Sequence, residues 1–361
     1  MMKFNVMLGA VLASAGAAMG GFSNGDIVFT DSPDDAVRVV RFGTNVVDTL
    51  YTFNDPNGEI RLAEITRVDG RYYVNSGLSD ADLGVNGRLI ELNHLFGATV
   101  ETDLSAGGML QNPIGLEYNR RSDQFLSINN TGQTAMQTAP DFDGIIGVAR
   151  GDGSQTFRFD EQIGDPARPR YQAGARIAQD ATNANRYYAS SVNGGTLIDE
   201  VNLPGGDFNK ASALYSVDVD VSGNTSVNLF ADFSATDFGP LTFVRGVTTA
   251  EGGDGLTDIY ITDGFTNGIY HVDLDANGDV STISQLVDGL LNPGNIIYDR
   301  FTDTLVFGEV DGDSISRINL DGSGLQVLAT GVDPRGFYIV PAPGAAALFG
   351  FAGLAAARRR R

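Results

Sequence analysis

The chain repeats itself at a spacing of 46 residues, and that spacing limits what it can fold into. Ile259-Tyr260-Ile261-Thr262-Asp263 and Leu305-Val306-Phe307-Gly308-Glu309 are copies of one element at this offset. Tyr270-His271-Val272-Asp273-Leu274-Asp275 and Ser316-Arg317-Ile318-Asn319-Leu320-Asp321 are copies of a second. Tyr215 to Asp220 is a further copy of the second element, and Val28-Phe29-Thr30-Asp31 of the first. Apolar and polar residues alternate within each copy, which is the period of a β-strand. Each second element ends in a turn: Asp275-Ala276-Asn277-Gly278, Asp220-Val221-Ser222-Gly223 or Asp321-Gly322-Ser323-Gly324. Gly supplies the positive φ that such turns need, and Asp or Asn closes the local hydrogen bond.

A third element opens each unit, at Pro113-Ile114-Gly115-Leu116, Pro293-Gly294-Asn295-Ile296 and Pro334-Arg335-Gly336-Phe337. Val244-Arg245-Gly246-Val247 and Ala173-Gly174-Ala175-Arg176-Ile177 are looser copies. Pro is tolerated where a strand begins, because that amide need not join the ladder. One unit is therefore four short strands, near 295–299, 304–309, 314–320 and 325–330 in the last full copy. A repeated four-stranded unit of roughly 45–50 residues is the pattern of a propeller blade.

The expected fold is all-β, a six-bladed β-propeller over 26–340. Its blades are expected near 55–105, 107–160, 170–234, 240–289 and 290–331, with one blade shared between 26–53 and 334–340. The first strand of that body resembles a second strand, and the last resembles a first strand with no followers. The two ends of the chain would then complete one blade and tie the ring shut.

The motifs Pro-x-Gly, Tyr-x-Thr-Asp and Asn-Leu-Asp-Gly resemble six-bladed propellers of the YWTD, NHL and SMP-30-like group. The likeness is clearest over 240–340 and fair over 26–53. Tyr260-Ile261-Thr262-Asp263 lacks the family's Trp, and the chain of 361 residues has no Trp at all. The group includes adhesion modules, receptors and lactonases, so the resemblance implies a fold rather than a function.

Both ends carry sorting features. Met1-Met2-Lys3, the apolar run Phe4 to Ala18 and the small residues before Gly21 form a secretory signal over 1–20. At the other end, Pro341 and Pro343 precede an apolar segment, Ala345 to Ala357, and the chain closes on Arg358, Arg359, Arg360 and Arg361. This order over 341–361 resembles the PEP-CTERM signal of exported bacterial proteins, with Ala342 where that family usually has Glu. The resemblance implies a separate C-terminal hydrophobic helix that contacts the membrane, and an exosortase-like transpeptidase and signal peptidase as processing partners. The implied address is the cell envelope, the cell surface or the medium.

Composition excludes several chemistries. There is no Cys, so disulfides, thiol catalysis and Cys–zinc sites are absent. A formal net charge of −21 and the lack of a basic stripe argue against nucleic acid as a partner. No Gly-x-Ser-x-Gly elbow, P-loop or dinucleotide fingerprint occurs.

Asp273-Leu274-Asp275-Ala276-Asn277-Gly278-Asp279 has the spacing of a calcium loop, but Ser284 stands where a bidentate Glu is needed. The same stretch also reads as a hairpin turn. No cofactor is expected, with calcium as the one alternative. Asp31, Asp263 and Glu309 end second strands on one face of the ring. They either cap backbone amides or help to hold a divalent metal, as resembled lactonases do at the ring centre with a set that this chain does not match residue by residue. His94 and His271 fall in different blades and are expected to be ordinary strand residues. The leading expectation is a non-enzymatic binding or interaction module with an unidentified extracellular ligand. A metal-dependent hydrolase or lactonase of the SMP-30-like type is the alternative.

Overall fold

The computed structural model describes residues 21–54, 60–78, 87–95, 99–105, 108–110, 112–129, 144–160, 174–191 and 212–341. The expected signal over 1–20 and the segment beyond Pro341 lie outside them. Among the described residues, twenty-four strands form six four-stranded antiparallel sheets. β1 (Ile27–Asp31), β2 (Ala36–Val40) and β3 (Val47–Thr52) share a sheet with the last strand, β24 (Pro334–Ile339), in the order β24-β1-β2-β3.

The other five sheets are each continuous in sequence. The first contains β4 (Ile60–Val68), β5 (Arg71–Leu78), β6 (Arg88–Leu92) and β7 (Glu101–Asp103), and the second β8 (Pro113–Asn119), β9 (Gln124–Asn129), β10 (Gly144–Ala149) and β11 (Gln155–Asp160). The third contains β12 (Gly174–Gln179), β13 (Arg186–Ser191), β14 (Ala213–Val219) and β15 (Thr225–Asp232). The fourth contains β16 (Val244–Glu251), β17 (Thr257–Asp263), β18 (Gly268–Leu274) and β19 (Val280–Val287). The fifth contains β20 (Pro293–Asp299), β21 (Thr304–Glu309), β22 (Ser314–Asn319) and β23 (Gln326–Thr330). The strands β4, β8, β12, β16, β20 and β24 touch one another in succession, and β24 meets β4. The fold is thus a six-bladed propeller, with these strands around the axis and the terminal strands sharing the closing blade.

Six apolar clusters hold the ring, one at each junction between blades. Val28, Val37 and Val39 of the closing blade pack with Leu62, Ile65, Tyr72 and Val74 of the next. Ala250, Tyr260 and Ile269 pack with Ile296, Leu305, Phe307 and Ile318 in the same way. Inner strands are consequently buried on both faces. Ile259 and Ile261 of β17 face one neighbour and Tyr260 faces the other. This is why the second strand of a blade reads as nearly continuous apolar sequence, whereas the outermost strands, such as β3 and β15, are largely exposed.

Each first strand carries a bulge near its start: between Leu62 and Ile65, Pro113 and Gly115, Gly174 and Ile177, Val244 and Gly246, and Pro293 and Ile296. The closing blade has its irregularity at the same level, between Thr30 and Asp31 opposite β24. A bulge leaves an amide without its ladder partner. A side chain from the second strand supplies it. Gly336 N donates to Thr30 Oγ1 at 2.8 Å, Arg176 N donates to Ser190 Oγ at 3.1 Å, and Glu64 N donates to Asn75 Oδ1. Some of the same residues also reach forward. Thr30 Oγ1 donates to Ala63 O at 2.6 Å, and Asn75 Nδ2 donates to Gly115 O at 3.1 Å, so one side chain bolts two blades.

The bulge brings inner strands into close approach. A Cβ on Gly336 would lie 2.4 Å from Ala63 O and 2.6 Å from Glu64 Cα, and one on Gly246 would lie 2.6 Å from Gly294 O. These obstacles are backbone and cannot rotate away. Gly336→Val should therefore destabilise the ring by about 2 kcal/mol or more, the usual cost of overpacking or above it. Gly253→Ala, where nothing lies within 4 Å, should change stability by less than about 0.5 kcal/mol. Urea unfolding of the two variants checks the contrast.

Candidate functional site

Stacking the six first strands at the bulge reveals an alternation around the axis. The bulged position is Glu64, Gly115, Arg176, Gly246, Asn295 and Gly336 in successive blades. Every second blade contributes a long polar side chain, and the glycines between leave it room. Glu64 Oε2 meets Arg176 Nε at 3.1 Å, and both Glu64 oxygens accept from Asn295 Nδ2 at 3.0 Å. Phe337 N also donates to Glu64 Oε1, at 3.2 Å. Arg176 donates to Ile114 O, to Ala175 O at 3.0 Å and to Arg335 O at 2.6 Å. The axis is thus crossed by a polar plug tied to inner strands from both the long-chain and the glycine-bearing blades.

Glu117 lies one step deeper in β8, half-buried, with no ion pair to a cation among the described residues. Burial and the neighbouring Glu64 push its carboxyl up to about 8, against the pull of the Tyr118 and Gln179 amides. Burial also pushes Glu64 up, to about 7, but Arg176, the Phe337 amide and Asn295 oppose it. Glu64 is thus the carboxyl with partners that favour its charge, Arg176 and Asn295, whereas Glu117 is pushed up further and by Glu64 itself.

Above the plug, where the first strands begin, is the mouth of the channel. Arg245 donates to Asn292 Oδ1 at 3.2 Å, and its guanidinium carbon lies 5.1 Å from the Phe243 ring centre. Among the described residues no carboxylate lies within ion-pair reach of it. Burial, with Arg335 and Arg176 nearby, holds its pKa down to about 10. Arg335 pairs with Asp333. Phe243 meets Phe265 edge to face at 5.3 Å. Phe265 and Leu291 are 61% and 55% exposed beside them. An apolar rim and two arginines therefore share one face of an otherwise acidic protein.

The acidic ends of the second strands reach this face and are occupied by backbone. Asp263 accepts from Phe243 N at 2.7 Å, Phe265 N at 3.0 Å and Thr266 N at 2.8 Å. Glu309 Oε2 accepts from Leu291 N at 2.9 Å, while Asp31 takes the Asp333 amide and pairs with Arg38. Of the two readings the sequence allows, amide capping is the one this geometry displays. In the calcium-like stretch, Asp275 Oδ1 accepts from the amides of Asn277 and Asp279, which closes a hairpin with Gly278 at φ 81°. Asp273 turns away from that turn, toward His271 and Thr282. Of the sorting residues, Pro341 is exposed just after β24, while Pro343 and Arg358 to Arg361 lie outside the described residues.

Sequence reasoning misses Glu64, Arg176, Asn295 and Glu117 because no single motif holds them. The signal for the first three is the departure from Pro-x-Gly in alternate copies of the first strand, whereas Glu117 follows an intact Pro113-Ile114-Gly115.

No family model matches the chain, and no curated protein matches it. Solved structures do. The structure of a nidogen/laminin complex aligns with a TM-score of 0.60 at 10% identity, over 86% of this chain and 97% of that one. An auxiliary nutrient binding protein from Bacteroides thetaiotaomicron aligns at 0.54 and 14% identity, over 86% of this chain and 68% of that one. One from Bacteroides ovatus aligns at 0.54 and 15%, over 84% and 66%. At these identities the likeness shows the fold alone.

Glu117 makes stability depend on pH. Its folded pKa lies above the unfolded value, so between about 4.5 and 8 the folded chain holds a proton that the unfolded chain has released. Its contribution to stability therefore falls as pH rises through that window. Glu117→Gln should remove this slope, leaving the variant more stable than the wild type at pH 9 by on the order of 2–4 kcal/mol, with the gap closing toward pH 5. Urea unfolding across pH checks the sign.

Proposed function

We propose that the chain is an exported, surface-sorted binding module of the cell envelope or extracellular matrix, and that it takes its ligand at the channel mouth. The observation that carries this reading is the combination at the mouth. Phe265 and Leu291 are exposed on the face that carries Arg245, whose guanidinium makes no ion pair with a described carboxylate. Exposed apolar side chains gathered on a rigid face mark recognition surfaces more often than they mark chance exposure. Arginine beside an aromatic rim suits a ligand with an apolar or ring-like portion and a carboxylate or sulfate group.

The second and third strands lie further apart in sequence in three neighbouring blades, Leu78 from Arg88, Asn129 from Gly144 and Ser191 from Ala213. The corresponding link between Asp263 and Gly268 is short. Export rests on the terminal segments, whose order resembles a signal peptide and a PEP-CTERM tail. The structural neighbours include proteins described as nutrient binding and as a nidogen/laminin complex, which is compatible with a binding role.

The hydrolase alternative needs a free metal-ligating set at the axis. Glu64 and Asn295 are suitable residue types, but the Arg176 guanidinium holds the Glu64 carboxylate.

Two measurements test the proposal. Fractionation of the native host should find the mature chain in the envelope or the medium, and removal of 341–361 should shift it from the envelope. An intact chain in the cytosol would contradict export. Retention of the purified chain on isolated envelopes should fall about tenfold or more with Arg245→Gln or with Phe265→Ser, since central aromatic and Arg residues dominate most interfaces. Unchanged retention in both variants would remove the mouth from the account.

A further inference from the structure

We propose that Asp258, His271 and Asp273 form a binding site for a borderline divalent cation such as Zn2+, on the rim opposite the channel mouth. The sequence expectation of an ordinary strand histidine overlooks this group because its third member is remote in sequence and meets the other two only through strand register. Ile259 pairs with Val272 and Tyr260 with His271 across β17 and β18. One step further along the same pairing, Asp258 comes to face Asp273. Two carboxylates at directly opposed positions of an antiparallel pair repel each other. A cation between them turns that liability into a site.

His271 is placed to share such a cation. Its Nε2 lies 3.0 Å from Asp258 Oδ1 and 3.5 Å from Asp273 Oδ1, and all three candidate ligand atoms fall within 4.8 Å of one another. Zinc bonds of about 2.0–2.2 Å in tetrahedral array put neighbouring ligand atoms about 3.3 Å apart. The two nitrogen–oxygen separations bracket that value. Nε2 carries at most one hydrogen, so it can donate to only one of the two carboxylates at a time. A metal ion can bond both oxygens and the ring nitrogen together.

The surroundings hold the ligands in place. His271 stacks on the buried Tyr260 ring at 4.7 Å and 14°, which fixes the imidazole plane. Thr282 Oγ1 donates to Asp273 Oδ2 at 3.1 Å, leaving Oδ1 toward the histidine. Outer contacts of this kind orient metal ligands and raise affinity. An imidazole with two carboxylates suits zinc and its transition-metal neighbours better than calcium, which prefers six or more oxygens. The group is half-buried, so an ion can reach it from solvent.

The test uses the full-length chain, stripped of metal with EDTA and dialysed. Zn2+ or Co2+ should bind saturably at one ion per chain and raise the melting temperature, because a ligand of the folded state stabilises it by mass action. Co2+ should show a visible absorption band of nitrogen–oxygen ligation. His271→Ala and Asp273→Asn should each weaken binding by about tenfold or more. His94→Gln should not. If His271→Ala fails to fold, the near-isosteric Asp273→Asn decides the matter. Absence of binding, binding unchanged in both site variants, loss of binding in the His94 variant, or a preference for Ca2+ over Zn2+ would overturn the proposal. The site stands apart from the mouth, so its failure would leave the proposed binding face untouched.

Discussion

Everything in this ring depends on what six inner strands do where they crowd the axis. At the bulge, Gly246 and Gly336 bring backbone so near the next blade that a methyl group would not fit. Six large residues there would burst the ring, and six glycines would leave a wet hole bounded by exposed amides. The chain alternates instead, with Glu64, Arg176 and Asn295 spanning the space that the glycines leave. A buried ion pair is costly to desolvate, and its attraction repays that only with good geometry and further hydrogen bonds. Here the carboxylate also receives Asn295 and the Phe337 amide, and the guanidinium finds three backbone carbonyls. The pair is worth little as a source of net stability compared with a packed apolar plug. Loss of one partner, by contrast, leaves a buried charge uncompensated.

The same logic runs outward along each blade. Bulging the first strand frees an amide, and Thr30, Asn75 or Ser190 takes it up. Thr30 and Asn75 then lock onto the next blade's carbonyls, and Thr262 donates to Gly294 O at the corresponding place. One residue further, Asp31, Asp263 and Glu309 fasten the loops that lead into the inner strands. Position by position, the second strand thus serves the ring, then the loop. The described loops at the mouth are thereby fastened to the second strands, with apolar clusters between blades carrying most of the burial. At the opposite rim, strand pairing gathers Asp258, His271 and Asp273 at the end of β17 and β18.

Much of the architecture is legible in the sequence because the physics that shapes a blade is local. Strand alternation, Gly-bearing turns and the 46-residue spacing all lie within one unit. The shared closing blade is legible too, since Val28 to Asp31 copies a second strand and Pro334 to Phe337 a first. The recurrence of Thr262-Asp263 is visible without its reason, which needs the bulge and the neighbouring blade. The axial trio is hidden because its members differ in type and sit in alternate copies, so a search for sameness passes over them. His271 finds Asp258 only once strands are paired. The arginine at the mouth looks like any strand arginine until Phe243 and Asn292 are placed around it.

The central claim is that Glu64 and Arg176 act as one unit at the axis. A double-mutant cycle with Glu64→Gln, Arg176→Gln and the pair, read by urea unfolding at pH 7, measures this directly. Each single change should cost about 3 kcal/mol or more by stranding a buried charge. The double variant should cost less than the sum, with a coupling of about 1–3 kcal/mol. Effects that add to within about 0.5 kcal/mol would show the two residues to be independent and would contradict the account.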